Sequence, residues 1–293
     1  MNPAHLVAVI TILMWSSLAV LTVSVKHISP LLSVGLVLIV ASLPGLRYWR
    51  QWNMPIKYWI FSITGMFGYH YLLFDAFAKA PAINVNLIQY LWPLFIVLGS
   101  PLVTRLPLNW GHILGGILGF GGIAIALSPS EGSFSGKYLL GYTEALLAAL
   151  LWTFYTLSNK KNKHMSISTV AGICFISGVL SVVCYFLVMP SSQGVTLDGK
   201  DVLSIIALGL GPMGLAFYTW DYAVRHGDPR FIGTLCYFTP LISTLLMVFV
   251  YQDIELEMVH LIALAFVSIG ALLGRIVKDR PSRRAQISKQ YLQ

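Results

Sequence analysis

The sequence predicts an all-α membrane protein whose ten transmembrane helices form an inverted five-helix repeat around a central cavity. The first observation behind this is composition: of 293 residues, 57% are hydrophobic and only 10% charged, with a mean hydropathy of +0.76. That leaves too little polar surface to cover a soluble globule of this size. The second is a polar pattern that occurs twice. Asp75-x-x-x-Lys79 followed by Tyr90-Leu-Trp-Pro93 recurs as Asp221-x-x-x-Arg225 followed by Tyr237-Phe-Thr-Pro240.

Apolar stretches of about 17–25 residues read as spans. They fall at roughly 5–25, 30–48, 58–79, 81–104, 110–128, 138–158, 167–189, 200–224, 228–251 and 257–277, with connections too short to hold a soluble domain. Of the 19 lysines and arginines, all but Lys26, Lys79, Lys137 and Lys200 fall on one side of this arrangement. That bias places both termini in the cytoplasm. The net charge of +8 is then an orientation signal, and the expected partner is the bilayer rather than nucleic acid. The first apolar run lacks a basic flank and a small-residue cleavage site, so it reads as an uncleaved first helix. Cys174, Cys184 and Cys236 show no metal or redox spacing; they read as packing residues, and no metal or cofactor is expected.

The duplication extends beyond the opening motif. Met14-Trp15 aligns with Leu151-Trp152 at an offset of 137, which also superposes Lys26-His27-Ile28-Ser29 on Lys163-His164-Met165-Ser166. The offset is 146 at the Asp pairs, 147 at the Tyr-x-x-Pro pairs, and 148 where His112 meets His260 and Gly122 meets Gly270. The chain therefore divides into a first repeat at 1–135, a second at 136–278 and a basic cytoplasmic tail at 279–293. Five is odd, so the second copy crosses in the opposite sense, as alternating access requires.

Within this frame certain residues stand out. Pro93 and Pro240 lie inside spans, where each ring clashes with the carbonyl four residues back, that of Gln89 and of Cys236. Both helices should kink there, as hinges or as merely structural bends. Asn86, Gln89, Tyr90 and Pro93 share one helical stripe with Trp92 beside it; Glu144, Trp152, Tyr155 and Asn159 form another; Thr11, Trp15 and Thr22 a third. Such walls suit a planar, mostly apolar ligand with a polar end, although Trp and Tyr also serve bundle packing and interfacial belts. Asp75 with Lys79, and Asp221 with Arg225, have the order and spacing of an intrahelical ion pair. These pairs are structural or couple transport to protons; His70, Asp75, Asp221 and Glu144 are the candidate coupling groups. His70 and Asp75 lie on different helix faces, since five residues is about 140° of rotation. Gly111, Gly115, Gly119, Gly270 and Gly274 repeat a small-residue spacing that lets helix backbones approach, and its presence in both copies favours packing within a monomer. No His-Glu-x-x-His, Gly-x-Ser-x-Gly or Walker-type motif occurs; no catalytic residues are expected, and transport would be secondary.

With its duplicated five-span unit, a Trp in helix 1, another in helix 6 and glycine-rich fifth helices, the chain resembles the ten-helix EamA-type members of the drug/metabolite transporter superfamily. Asn86-x-x-Gln89-Tyr90-Leu91-Trp92-Pro93-Leu94, Trp152 and Tyr237-Phe238-Thr239-Pro240 look like the bacterial aromatic amino-acid exporters within it. The resemblance implies a monomer in the bacterial inner membrane with a central cavity, exporting aromatic and other neutral amino acids. It implies substrate contacts at Tyr90, Trp92, Trp152 and Tyr237, with Pro93 and Pro240 as hinges. The chain departs from the pattern in lacking an acidic residue near His70.

Overall fold

The structure, a computed structural model, describes residues 2–18, 21, 25, 27–80, 82–104, 108–126, 135–161, 165–188, 196–250 and 258–276. Asp253, Glu255, Glu257, Arg105 and the basic tail lie outside them. Among the described residues the regular structure is helical. Helix α1 (Pro3–Ser16) starts where the Asn2 side chain accepts a bond from the Ala4 amide and Pro3 occupies the first turn. Helix α2 (Pro30–Leu46) also opens on a proline. Helix α3 (Ile56–Lys79) stops where Ala80 turns extended ahead of Pro81, because a residue before proline is driven out of the helical region.

The fourth expected span is broken into α4 (Ala82–Gln89) and α5 (Trp92–Gly99), followed by the short α6 (Pro101–Thr104). The interruption at Tyr90–Leu91 lies just before Pro93, which cannot donate to the Gln89 carbonyl. Helices α7 (Trp110–Ala126), α8 (Leu139–Lys161) and α9 (Thr169–Val188) follow. Next, α10 (Gly199–Leu210) begins with a reciprocal cap, in which Asp198 Oδ1 accepts from the Asp201 amide and Asp201 Oδ2 from the Asp198 amide.

The eighth expected span is also interrupted. A π turn at Gly211–Leu215 joins α10 to α11 (Ala216–His226), because Pro212 removes a donor from the ladder. A Cβ on Gly214 would sit 1.7 Å from the Gly209 carbonyl oxygen, so only glycine fits there. Finally α12 (Pro229–Leu235), capped by Asp228, and α13 (Phe238–Val250) are separated at Cys236–Tyr237, just before Pro240, and α14 (Met258–Ile276) follows.

The helices pack in pairs: α2 on α9, α3 on α8, α7 on α14, α5 on α12, and α1 on α11. Glycines set the closest approaches. A Cβ on Gly65 would lie 2.5 Å from that of Tyr155, and one on Gly270 would lie 2.6 Å from the Gly115 carbonyl. The outer surface carries large apolar side chains such as Phe249, Leu187, Phe186 and Leu203, 84%, 79%, 70% and 67% exposed. Large apolar side chains this exposed suit a surface that faces lipid. By length and composition, Thr169–Val188 and the run Gly199–His226 are apolar enough to cross a bilayer, at mean hydropathies of 2.3 and 1.7.

Candidate functional site

Four tryptophans from four different helices meet at the centre: Trp15 of α1, Trp92 of α5, Trp152 of α8 and Trp220 of α11. Their ring centroids lie 4.9 Å apart for Trp15–Trp220, 5.7 Å for Trp92–Trp220, 5.9 Å for Trp15–Trp152 and 6.1 Å for Trp15–Trp92. Most contacts are tilted or edge-on, as ring quadrupoles favour. Trp92, Trp152 and Trp220 are buried, whereas Trp15 is half-buried. Tyr155 stacks on Trp152 at 5.2 Å, and Tyr69, Phe217 and His70 extend the cluster.

The polar groups around these rings are few and specific. The Trp220 indole donates to Thr156 Oγ1 at 3.1 Å, and Thr153 Oγ1 donates to the Trp92 carbonyl at 3.3 Å, tying the start of α5 to α8. Gln89, the last residue of α4, donates its amide to the Tyr69 hydroxyl at 2.9 Å, which places a buried amide beside the aromatic rings. His70 donates from Nδ1 to the Met66 carbonyl at 2.7 Å, since a carbonyl oxygen can only accept. Asn86 lies in α4, one turn before Gln89; its side chain is outside the described set.

Other candidates sit away from the rings. Tyr237 packs with Leu241, Ala263 and Val267 against α7 and α14, with half-buried Tyr90 at the edge of the same group. Glu144 lies about 12 Å along α8 from Trp152, at roughly 1.5 Å per residue. There Lys79 Nζ reaches Glu144 Oε1 at 2.6 Å and Asp75 Oδ2 at 2.5 Å. The second basic pair is more deeply buried: Arg225 binds the Asp221 carboxylate, which is fully enclosed, and also the Met165 carbonyl. Asn159 accepts from Ser62 Oγ at 3.3 Å beside that pair.

Trp220, Tyr69 and Phe217 belong to the cluster although the sequence reading did not single them out. One signal was available for two of them. Phe217, Trp220, Asp221 and Val224 recur at helical spacing and are all buried, so they form one inward stripe of α11.

One family model, the EamA-like transporter family, matches the chain twice, at residues 2–128 and 139–274. The chain is 36% identical over 259 residues to "Aromatic amino acid exporter YddG" of Ancylobacter novellus, covering 84% of this chain and 88% of that one. A protein of the same name from Salmonella typhimurium is 25% identical over 264 residues, covering 83% and 87%. A solved crystal structure superposes with a TM-score of 0.88 at 33% identity, over 95% of this chain and 99% of the other.

Proposed function

Because the chain belongs to the EamA-like transporter family, we propose that it is a secondary transporter, not an enzyme, that exports neutral, mainly aromatic amino acids and related small compounds by alternating access. It would lie in the bacterial inner membrane as a monomer with both termini cytoplasmic. The observation that carries the substrate class is the central cluster of Trp15, Trp92, Trp152 and Trp220 with the Gln89 amide at its edge. An aromatic side chain gains from tilted ring contacts there. Gln89, Asn86 and carbonyls freed at the Tyr90–Leu91 break would meet the ammonium and carboxylate. Trp15 and Tyr69, both half-buried, form the accessible rim. Two similar proteins carry the name aromatic amino acid exporter, which supports the same reading.

The reading of ten crossings in two inverted copies draws on the helix pairing. The contact of Gly122 with Ala263 is carried by the 148-residue offset onto Gly270 and Gly115, which also touch. The Thr11–Thr219 hydrogen bond of α1 and α11, 2.8 Å long, maps through offsets of 137 and 146 onto Ala148 and Leu73. That position matches the register of α3 on α8, in which Gly68 meets Leu151 and Lys79 meets Glu144. Breaks at equivalent places, Tyr90–Leu91 and Cys236–Tyr237, give each copy one hinge, at Pro93 and Pro240.

The test is uptake of labelled Phe, Tyr and Trp into proteoliposomes, with and without an imposed pH gradient. Flux of aromatic amino acids is expected in the parent, with a loss of at least about tenfold in Trp92→Ala and Trp152→Ala, a modest 1.4 kcal/mol of lost contact. Undiminished flux in both variants would remove the cluster from the substrate route. A broad metabolite exporter of the same fold is the second reading, favoured by the small number of polar anchors around the rings. Competition by unrelated apolar compounds as strong as that by Phe would select it.

A further inference from the structure

The two ends of α8 are tied to two different helices. At its start Glu144 holds Lys79 at the end of α3. About 24 Å further along, at roughly 1.5 Å per residue, Lys160 Nζ donates to the backbone carbonyls of Arg225 at 2.9 Å and Gly227 at 2.6 Å. These are carbonyls at the end of α11, which have no partner within the helix and carry partial negative charge, so a cation is favoured there. Beside it, Arg225 of α11 also binds the Met165 carbonyl, just past the end of α8.

The duplication makes this closure informative. The two-fold exchanges α8 with the first span and α11 with α3, so the counterpart of the α8–α11 contact is one between α1 and α3. Helix α8 packs on α11, and residues 19–20 and 22–24, where the first copy would make the matching contact, lie outside the described residues. The sequences of the two copies differ here: the offset of 137 sets Ala19, Thr22 and Val23 opposite Thr156, Asn159 and Lys160, so no cation stands in the first copy where Lys160 stands in the second. The protein is closed at the Lys160 face by a tie that the sequence of the first copy does not repeat.

We infer that Lys160 is a positioning residue that locks the cytoplasmic closure, by holding α8 on the terminal carbonyls of α11, and so disfavours the form that opens on that side. This rests on the alternating-access reading above. Opening the face requires Lys160 to leave both carbonyls, and the state that opens there is disfavoured in proportion.

The experiment uses full-length protein with Cys174, Cys184 and Cys236 replaced by alanine. A reporter thiol is introduced by Ser62→Cys, at a buried position of α3 bonded to Asn159, or by Leu18→Cys beyond the end of α1. A water-soluble maleimide is applied to inside-out and right-side-out vesicles, and only protein that elutes as a monodisperse peak is scored. Lys160→Met should raise labelling of the Ser62→Cys thiol in inside-out vesicles by about tenfold and lower that of the Leu18→Cys thiol from the other side. Lys160→Arg should stay near the parent. Unchanged labelling in Lys160→Met, or equal effects of the Met and Arg variants, would overturn the lock. If the parent carries no amino acid yet Lys160→Met shifts labelling, the substrate reading fails and the lock stands. If the parent transports and labelling does not move, the lock alone fails.

Discussion

Lys79 Nζ lies 2.6 Å from Glu144 Oε1 and 2.5 Å from Asp75 Oδ2, so one ammonium serves two carboxylates, one on its own helix and one across the interface with α8. Removing the cation leaves two anions facing each other, one of them the buried Glu144. Neutralising Glu144 leaves an ordinary pair one helical turn apart. Lys79→Met is therefore expected to lower the unfolding temperature of the detergent-solubilised protein more than Glu144→Gln does. The reverse order would contradict the shared-cation geometry.

Asp221 is fully enclosed and its charge is met by Arg225. Breaking a buried pair from one side strands the other charge, at a cost of about 3–5 kcal/mol, whereas replacing both partners with apolar residues is often close to neutral. Arg225→Met should thus destabilise strongly, and Asp221→Leu combined with Arg225→Met should recover most of the loss. Thermal unfolding of the single and double variants checks this; additive losses would show that the pair is not the reason for burial.

Gly119 and Gly121 are neighbours on α7 with opposite surroundings. A Cβ on Gly119 would meet the Tyr237 ring at 2.2 Å, while one on Gly121 has nothing within 4 Å. Gly119→Ala should cost about 1–3 kcal/mol through overpacking. Gly121→Ala should be neutral or stabilise by up to about 1 kcal/mol through helix propensity. Equal effects in an unfolding titration would place Tyr237 elsewhere.

Trp220 donates to Thr156 inside the aromatic cluster, and both are buried. Thr156→Val leaves the indole N–H without its acceptor, at about 1–3 kcal/mol. Trp220→Phe with Thr156→Val should lose less than the two single changes together. Strict additivity in thermal unfolding would mean that the hydrogen bond contributes nothing.

Local chemistry was the readable part of this chain. Pro93 and Pro240 mark helix interruptions because a missing N–H acts within four residues; the ion pairs of Asp75 and Asp221 were visible for the same reason. Contacts over long sequence distances were not. Lys79 reaching Glu144, and Lys160 reaching the end of α11, depend on antiparallel register, which no single-helix pattern encodes. Trp220 was hidden differently: in a chain with 8 Trp, 14 Tyr and 15 Phe, one more ring beside a conspicuous Asp carries little weight until its neighbours are known. Tyr237 belongs to a motif with Pro240, yet the break at Cys236–Tyr237 turns its ring onto Gly119 rather than toward the tryptophans.

The π turn at Gly211–Leu215 has a counterpart only in outline. Gly65 and Gly68 stand where Gly211 and Gly214 stand in the other copy, but Met66 replaces Pro212, and α3 runs straight through. An uninterrupted helix at Ile56–Lys79 thus faces, across the proposed two-fold, a span with a π turn close to Trp220. If the alternating access proposed above operates, bending strain would concentrate at the π turn rather than divide evenly between the halves, and the forward and return strokes would be mechanically unlike.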